Sequence, residues 1–318
     1  MIDQATLPLF PTLLPAPGRP APEADAIRRR AGVEYFDLLV RDVLNRNDQP
    51  RLPFEWTINP YRGCEFACAY CYARYTHGFF DLADPEDFER KIFVKRRAAE
   101  KLRQRLRRTD LSGQTIALGT ATDPYQPAER HYEVTRSLLE VFTEAEGLSL
   151  SITTKSPLVL RDLDLLAELD RRHSVSVHVT LTTVDGPLAR CIERQAPDPG
   201  ARLRAIERLA EAGIATVVNL MPVMPGINDG EEVLAPLFAR TKAAGALDVH
   251  AAPLFLRPPT RAVFFPWLEQ EFPGLVALYR RLFARSDYLG SAAKDELLAT
   301  YRRLKLEQGF PRPLAGRA

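Results

Sequence analysis

The stretch NPYRGCEFACAYCYARYTH, residues 59–77, contains three of the four cysteines in this 318-residue chain. The three are Cys64, Cys68 and Cys71. Their spacing places three thiols on one short loop, and soft thiolate ligands suit zinc or an iron–sulfur cluster. A [4Fe–4S] cluster needs one ligand for each iron, so three cysteines would leave one iron open to another molecule. The alternatives are a zinc site completed by His77 or Cys191, and reduced thiols without a metal.

The composition is that of a globular protein without a disulfide framework. Hydrophobic residues make up 46% and charged residues 26% of the chain. Four cysteines are too few to form a disulfide framework for a chain of this length. No charged segment followed by an uninterrupted apolar run opens the sequence, and prolines break its first apolar stretch. We therefore expect no signal peptide and no membrane span. The composition predicts a cytoplasmic protein.

Short β-branched runs alternate with longer amphipathic stretches from about residue 55 onward. The six predicted strands cover residues 55–59, 115–120, 148–155, 175–183, 214–223 and 247–256. Leu, Ile and Ala recur every three or four residues between them, which predicts helices at 136–145, 158–172 and 201–213. The last of these should end at Gly213 as a C-terminal cap.

This alternation indicates an α/β fold with a parallel sheet. Six units without a reversal favour a partial (β/α)6 barrel of the TIM type, followed by a C-terminal helical extension. A Rossmann-type open sheet is the alternative, although no G-x-G-x-x-G follows the first strand. We divide the chain into a flexible proline-rich arm, a lead-in segment, a barrel core and the extension, namely residues 1–24, 25–54, 55–257 and 258–318.

Polar residues follow the predicted strands at their carboxyl ends, where barrels gather their chemistry. The cysteine loop follows the first strand, TATDPYQP follows the second, TTKS ends the third and TLTT ends the fourth. A simple binding module would not need polar groups at each of these positions. The pattern therefore favours an enzyme over a non-enzymatic iron–sulfur or zinc protein that binds nucleic acid.

The motif C-x3-C-x-Φ-C with an aromatic Φ, here Tyr70, resembles the signature of the radical S-adenosylmethionine (SAM) superfamily. CAYCY, GTATDPYQ, TTKS, VTLTT and ERQAPDPGARLRAIERLAEAGI are similar to successive motifs of spore photoproduct lyase and DNA repair photolyase-like proteins. The resemblance spans about residues 55–230. It implies a [4Fe–4S] cluster on the three cysteines, with SAM on the fourth iron. It also implies reductive cleavage of SAM to a 5′-deoxyadenosyl radical, with an electron donor such as flavodoxin or ferredoxin.

The resemblance further implies cofactor-binding roles for individual residues. Lys155 matches a lysine that binds the SAM carboxylate, and Thr180 stands where the lyase has a serine that contacts SAM. Glu193 and Arg202 match a glutamate and an arginine beside the fourth crossover, as cofactor contacts or an ion pair. Tyr70 is expected to offer its backbone to the adenine.

Three more residues have weaker matches to the family. Tyr72 matches a tyrosine implicated in hydrogen transfer, although aromatic packing over the cluster is the alternative. Asp123 is expected either to orient the ribose or to brace its turn, since Asp before Pro is a common turn former. Asn219 lies on the fifth strand and faces either the barrel or a helix.

The sequence departs from the lyase at the hydrogen donor. The lyase has a donor cysteine after its second strand, and the aligned segment TATD has Thr120 there. A threonine O–H bond is too strong to replace a thiol as a hydrogen-atom donor. The remaining thiol, Cys191, follows the fourth strand and is interpreted as incidental. We therefore do not expect spore photoproduct lyase activity.

Nucleic acid is a candidate substrate because residues 91–108 hold nine Lys or Arg and one Glu. Ala98, Ala99, Leu102 and Leu106 lie on one face of this segment, which predicts a helix docked on the barrel. Its charges are interpreted first as a solvated face balanced by the acidic stretch before it. The aromatic residues of the extension are expected to pack in the core rather than stack on bases, namely Phe264, Phe265 and Trp267.

Overall fold

The computed structural model describes residues 28–30, 32–49 and 52–311, so the predicted arm at 1–24 lies outside the described residues. The strands are β1 (Arg28–Arg30), β2 (Val33–Asp37), β3 (Leu44–Arg46), β4 (Trp56–Ile58), β5 (Tyr61–Arg62), β6 (Lys91–Val94), β7 (Thr115–Leu118), β8 (Ser149–Thr154), β9 (Ser174–Thr180), β10 (Ala215–Val223) and β11 (Asp248–Pro253).

The α-helices are α1 (Asp87–Arg90), α2 (Ala98–Leu106), α3 (Glu129–Tyr132), α4 (Val134–Phe142), α5 (Leu163–Asp170), α6 (Gly186–Ile192), α7 (Pro199–Glu211), α8 (Glu231–Ala243), α9 (Pro258–Glu271), α10 (Val276–Leu282), α11 (Ser291–Leu297) and α12 (Ala299–Glu307). Short 3₁₀ helices cover Tyr72–Phe80, Pro157–Asp162 and Pro273–Leu275.

Six parallel strands form the main sheet, and they correspond to the six predicted strands. Their order is β4-β7-β8-β9-β10-β11, and β3 adds an antiparallel strand beside β4. Because the strand order follows the chain order without a reversal, the sheet is a partial barrel and not a Rossmann sheet. The predicted α/β class with a parallel sheet is confirmed, and the described strands do not close into a complete barrel.

The two faces of the main sheet differ in chemistry. Side chains alternate along a strand, so one set faces the helices and the other faces the barrel interior. The outward set is fully buried and aliphatic, including Leu150, Ile152, Val175, Val177 and Val249. The inward set is polar and half-buried, including Ser151, Thr153, Ser176 and His178. A complete barrel fills its interior with branched aliphatic side chains, so this open one keeps a polar chamber instead.

Helix α7 shows how local sequence sets the crossover helices. Asp198 caps it by accepting a hydrogen bond from the Gly200 N–H at 2.7 Å, and Pro199 occupies its first position. Gly213 follows the helix with a φ of 79°, a conformation that costs glycine little. The predicted helix at 201–213 and its glycine cap are thus present, with the helix ending at Glu211.

The prediction of one basic helix over residues 91–108 is wrong in its first part. Lys91–Val94 is a strand in a second, four-stranded sheet of order β1-β2-β6-β5, and the helix covers only Ala98–Leu106. Ile92, Phe93 and Val94 are β-branched or aromatic, which favours a strand. All three pair with β2, and Phe93 and Val94 also pair with β5. Within the helix, Ala98 and Leu102 are buried as expected.

The C-terminal helices cover one side of the barrel mouth. Helix α9 packs on the 3₁₀ helix Tyr72–Phe80, and Thr260 donates a hydrogen bond to the Cys71 carbonyl at 3.0 Å. Phe264 and Trp267 are buried and their rings lie 5.1 Å apart, which confirms the expected core packing for these two, whereas Phe265 is half-buried against the core. In the part of the chain that the structure describes, no helix is long and apolar enough to cross a membrane.

Candidate active site

The cysteine loop begins at a position that only glycine can occupy. Gly63 has a φ of 86°, and a Cβ there would lie 2.8 Å from the carbonyl oxygens of both Lys91 and Phe88. The Cys64 N–H donates to the Phe88 carbonyl at 2.9 Å, so the loop starts tightly against α1 and β6. This contact fixes where the first thiol enters the site.

The middle of the loop is docked on the chain that follows α6. The Ala69 N–H donates to the Ile192 carbonyl at 3.0 Å, and the Gln195 N–H donates to the Phe66 carbonyl at 3.2 Å. Cys68 forms an isolated antiparallel bridge with Glu193. These bonds hold the loop beside the segment that follows β9, at the carboxyl end of the main sheet.

The three predicted ligand cysteines lie together. Burial raises the pKa of Cys64, and Asp123, Cys68 and Cys71 raise it further. Burial raises the pKa of Cys68 to about 12, although Lys155 opposes the shift. Three thiols that oppose each other's ionisation on one short loop are a donor set that fits a metal centre, because coordination removes the thiol protons. The residues present therefore fit an iron–sulfur cluster.

The predicted alternatives for a fourth ligand lie in other environments. His77 Nε2 is 2.9 Å from the Lys91 carbonyl oxygen, and its ring packs 5.2 Å from that of Phe88. Cys191 Sγ is 3.6 Å from a Glu271 carboxylate oxygen, between α6 and α9. Among the described residues, no three His, Cys, Asp or Glu side chains are placed to hold a single metal ion. This geometry does not favour the zinc alternative.

Glu193 and Arg202 form a buried ion pair behind the cysteine loop. Their side chains are 2.6 Å apart and at most 1% exposed. Burial opposes ionisation of Glu193, but Arg202 and Lys155 outweigh it and lower the pKa of this carboxyl. The Tyr70 hydroxyl also donates a hydrogen bond to Glu193, and Arg202 donates to the Thr180 carbonyl at 3.2 Å. The predicted cofactor residues Tyr70, Thr180, Glu193 and Arg202 are therefore joined in one network.

Lys155 brings a positive charge to this network. Its Nζ lies 5.7 Å from the centroid of the Tyr70 ring. Burial alone would lower the pKa of Lys155, but Cys68 and Glu193 outweigh that effect and raise it, so the amine is a cation. Within the described chain, Nζ has neither a hydrogen bond nor an ion pair, which leaves its three donors available to a ligand.

Both carboxylate oxygens of Asp123 accept hydrogen bonds from nearby residues of the chain. One carboxylate oxygen accepts hydrogen bonds from the Tyr125 N–H at 2.9 Å and the Thr154 hydroxyl at 2.7 Å. The other accepts from the Lys155 N–H at 2.7 Å. Of the two roles considered for this residue, the structure shows the bracing of the β7 loop against the end of β8.

Tyr72 lies beside the position where the lyase family has its donor cysteine. Its hydroxyl donates a hydrogen bond to the Thr120 carbonyl, and its ring packs 5.3 Å from that of Phe255. The Thr120 hydroxyl accepts a hydrogen bond from Asn59 Nδ2 at 3.2 Å. The tyrosine ring therefore packs on the residue that follows β11 by two positions, and its hydroxyl reaches the loop after β7.

Sequence reasoning missed the polar side chains that support the cysteine loop. Glu65 accepts hydrogen bonds from the Tyr35 hydroxyl at 2.9 Å and the Ala128 N–H at 2.8 Å. Gln126 donates to the Gly63 carbonyl at 3.1 Å, and buried Arg74 donates to the Cys68 carbonyl at 3.1 Å. The signal for Gln126 was present in the TDPYQP motif, whereas Glu65 and Arg74 looked like ordinary charged residues of a loop.

Asn219 faces the barrel interior. It is in register with Thr180 on one side and with His250 on the other. Its Oδ1 lies 3.5 Å from His178 Nδ1. The choice left open by the sequence, barrel or helix, is thus settled in favour of the barrel.

Comparison with known proteins agrees with this arrangement. The family model of the Radical SAM superfamily matches residues 58–235, more than half of the chain. An uncharacterized protein of Mycobacterium tuberculosis is 40% identical over 267 residues, which cover 84% of this chain and 78% of the relative. One from Methanocaldococcus jannaschii is 32% identical over 203 residues, covering 64% and 72%.

Among solved structures, spore photoproduct lyase complexed with dinucleoside spore photoproduct has a similar fold. The TM-score is 0.62 at 16% identity, over 86% of this chain and 82% of that chain. A mutant of the same lyase with bound AdoMet and dinucleoside spore photoproduct gives a TM-score of 0.60 at 15% identity. The partial barrel, the three-cysteine loop and the family match establish that this chain is an enzyme of the radical SAM superfamily.

Proposed function

We propose that this enzyme binds a [4Fe–4S] cluster through Cys64, Cys68 and Cys71 and cleaves SAM reductively, with nucleic acid as its substrate. When bound, the cluster would supply the electron that splits SAM into methionine and a 5′-deoxyadenosyl radical. The single observation that carries the proposal is the position of Lys155. Its amine is a cation with its donors available, next to Cys68 and the Tyr70 ring.

The residues around Lys155 have separable tasks in this proposal. Lys155 would bind the SAM carboxylate by charge-assisted hydrogen bonds. The buried Glu193–Arg202 pair holds Tyr70 and the Thr180 backbone in place, and its carboxylate favours the charged form of Lys155 although Arg202 opposes it. A buried pair joined by hydrogen bonds is rigid, because losing one partner leaves an uncompensated charge at a cost of about 3 to 5 kcal/mol. Preorganisation of this kind lets the protein orient a ligand without rearranging.

Two features support nucleic acid as the substrate class. The fold is similar to that of a lyase solved with a dinucleoside photoproduct. An aromatic and a cationic side chain also meet beyond the cysteine loop, where Arg257 lies 4.8 Å from the centroid of the half-buried Tyr75 ring. Such groups suit stacked bases and phosphates.

The basic helix α2 contributes less to this proposal. Arg97, Arg103 and Arg105 pair with Glu100, Glu144 and Asp42. These pairs balance much of the charge of the helix, so its arginines are poorer phosphate ligands than the sequence suggests. Flavodoxin or ferredoxin is the proposed electron donor in the cytoplasm.

The test is anaerobic reconstitution followed by a SAM cleavage assay. We expect about four iron and four sulfide per chain, an electron resonance spectrum that changes on adding SAM, and release of 5′-deoxyadenosine. Lys155→Met should keep its iron and weaken SAM binding ten- to a hundredfold, since a charge-assisted hydrogen bond is worth about 1.5 to 3 kcal/mol.

Lys101→Met, on helix α2, is the matched control and should bind SAM like the wild type. Stoichiometric zinc with no spectral change would refute the cluster and support a non-enzymatic metal protein instead. Normal SAM binding by Lys155→Met would remove Lys155 from the cofactor site but leave the reaction class standing.

A further inference from the structure

A polar cluster lies inside the barrel, on the face that also carries Lys155. Thr153 is in register with His178, and Thr180 is in register with Asn219, which is in register with His250. Side chains two residues apart share a face, so Lys155 follows Thr153 on the inner face of the sheet. The cluster therefore continues directly from the proposed SAM site into the chamber.

His178 lies within hydrogen-bond distance of the Asn219 amide oxygen. Its Nδ1 lies 3.5 Å from Asn219 Oδ1, and its Nε2 lies 3.3 Å from the Ser176 hydroxyl. Burial lowers the pKa of His178 to about 4, so the ring is neutral and carries one proton. With that proton on Nδ1, Asn219 Oδ1 accepts it and Ser176 donates to Nε2. The Asn219 Nδ2 protons have no acceptor among the described residues, and they remain as donors.

The Asp248 carboxylate orients His250, with Nε2 rather than Nδ1 as the donor nitrogen. Its Nε2 is 3.0 Å from Asp248 Oδ2, and the other Asp248 oxygen is 2.7 Å from the ammonium of Lys305. Burial lowers the pKa of His250, so the ring is neutral and donates its one proton from Nε2 to Asp248. Nδ1 is then an acceptor, and no donor from the described chain reaches it. The His250 side chain is 44% exposed, so solvent and ligands can reach it.

Asn219 and His250 thus place a donor and an acceptor next to each other. They are directly opposite on neighbouring strands, which lie about 4.8 Å apart, a spacing that one planar ring edge can span. Lys305, the cation beside His250, is held by Asp248 at 2.7 Å and its side chain is 2% exposed. The site therefore suits an uncharged hydrogen-bonding edge rather than a phosphate.

We propose that Asn219 and His250 bind a substrate edge in which a carbonyl group adjoins an N–H, as in a cyclic amide or a keto-form nucleobase. Asn219 Nδ2 donates to the carbonyl oxygen, and His250 Nδ1 accepts from the N–H. This inference rests on the proposed function, because it assigns the substrate class of the same chamber. A base read in this way would lie next to the SAM site on the same face of the sheet, in reach of the radical.

The test uses thymidine and N3-methylthymidine, which differ only at the ring N–H. Their binding to the anaerobically reconstituted enzyme with SAM is measured by equilibrium dialysis. We expect the wild type to bind thymidine about tenfold more tightly than the methylated compound. Asn219→Asp keeps the shape and removes both donors, so it should weaken thymidine about tenfold. His250→Phe should bind the two compounds equally, because the acceptor for the N–H is gone.

His131→Phe, an exposed histidine on α3, is the matched control and should discriminate like the wild type. Equal binding of the two compounds by the wild type, or binding of neither, would overturn the proposal even if both variants fail to fold. Unchanged discrimination in His250→Phe would do the same. SAM cleavage is measured in the same preparations. An enzyme that cleaves SAM without discriminating refutes only this inference, whereas one that discriminates without cleaving refutes the proposed reaction.

Discussion

Lys95, which is buried, and Lys155, which is half-buried, show how neighbours decide whether an amine keeps its charge. Near Lys155, burial is outweighed by the thiolate form of Cys68 and by the Glu193 carboxylate, which raise its pKa. Near Lys95, burial and the charge of Arg62 act together and lower the pKa to about 7. Lys155 therefore stays a cation at neutral pH, while Lys95 is close to half protonated.

Lys95 should make the stability of the protein depend on pH above neutrality. Its pKa in the folded chain is about 7 against an ordinary 10.5, so between these values the unfolded chain binds more protons. Stability contributed by this group is therefore complete above pH 10.5 and falls as the pH decreases toward 7. The slope approaches about 1.4 kcal/mol per pH unit. Lys95→Met should remove that slope, measured as the urea midpoint at pH 7, 8 and 9 under anaerobic conditions.

Other groups titrate in the same range, so the relevant quantity is the difference between wild type and variant. Lys101→Met, on helix α2, should keep the wild-type slope. A Lys95→Met protein with the same pH dependence as the wild type would show that Lys95 is charged in the folded state.

At the level of elements, the main sheet was predictable and the second sheet was not. The six barrel strands are β-branched runs bounded by polar segments, and each was found within a few residues. Strand β1 reads RRR and β2 reads VEYFD, which give no apolar alternation, and β2 pairs in parallel with the distant β6. Their pairing depends on tertiary contacts, which local propensity does not encode.

The site shows the same division between local and distant signals. The three cysteines and Lys155 are recognisable because their motifs are contiguous. The hydrogen bond between Tyr70 and Glu193 joins residues 123 positions apart, and neither local sequence predicts it. Support of the loop by Gln126 and Arg74 likewise appears only once the chain is folded.

Gly63 should control whether the cysteine loop can form. In Gly63→Ala, the new Cβ would lie 2.8 Å from two carbonyl oxygens, and the φ of 86° is strained for any L residue. The backbone must shift at the residue before Cys64, at a cost of about 1 to 3 kcal/mol for the strained conformation alone. We expect reduced iron after reconstitution and a lower unfolding midpoint.

Gly113→Ala separates the effect of the strained φ from the effect of the close Cβ contact. Gly113 has a φ of 74°, but a Cβ there would meet nothing within 4 Å. Its variant should lose stability from the strained conformation alone and keep its full iron content. If both variants retain all their iron, the close approach at Gly63 is not needed to hold the cluster loop.

On the scale of the whole molecule, the thiols are divided between two environments. Three lie in the cysteine loop, and Cys191 lies on α6 and faces α9, where its carbonyl accepts a hydrogen bond from Trp267 at 3.1 Å. Burial raises the pKa of the Cys191 thiol to about 11, with Glu271 adding to the shift. In the loop after β7, Thr120 is hydrogen-bonded to Asn59 and Tyr72. The described residues therefore bring no thiol other than those of the cysteine loop to the barrel mouth.

A lyase that returns a hydrogen atom to its product needs a donor close to the product radical. Because Thr120 has no thiol and Cys191 faces α9, we expect this enzyme not to repair spore photoproduct at the rate of a true lyase. Cys191→Ala should retain SAM cleavage, because it removes neither a cluster ligand nor a cofactor contact. The assay follows thymine recovery from a synthetic dinucleotide lesion together with release of 5′-deoxyadenosine. Efficient repair that is lost in Cys191→Ala would show that this thiol reaches the chamber. Repair lost only in Tyr72→Phe would assign the hydrogen transfer to the tyrosine bonded to Thr120.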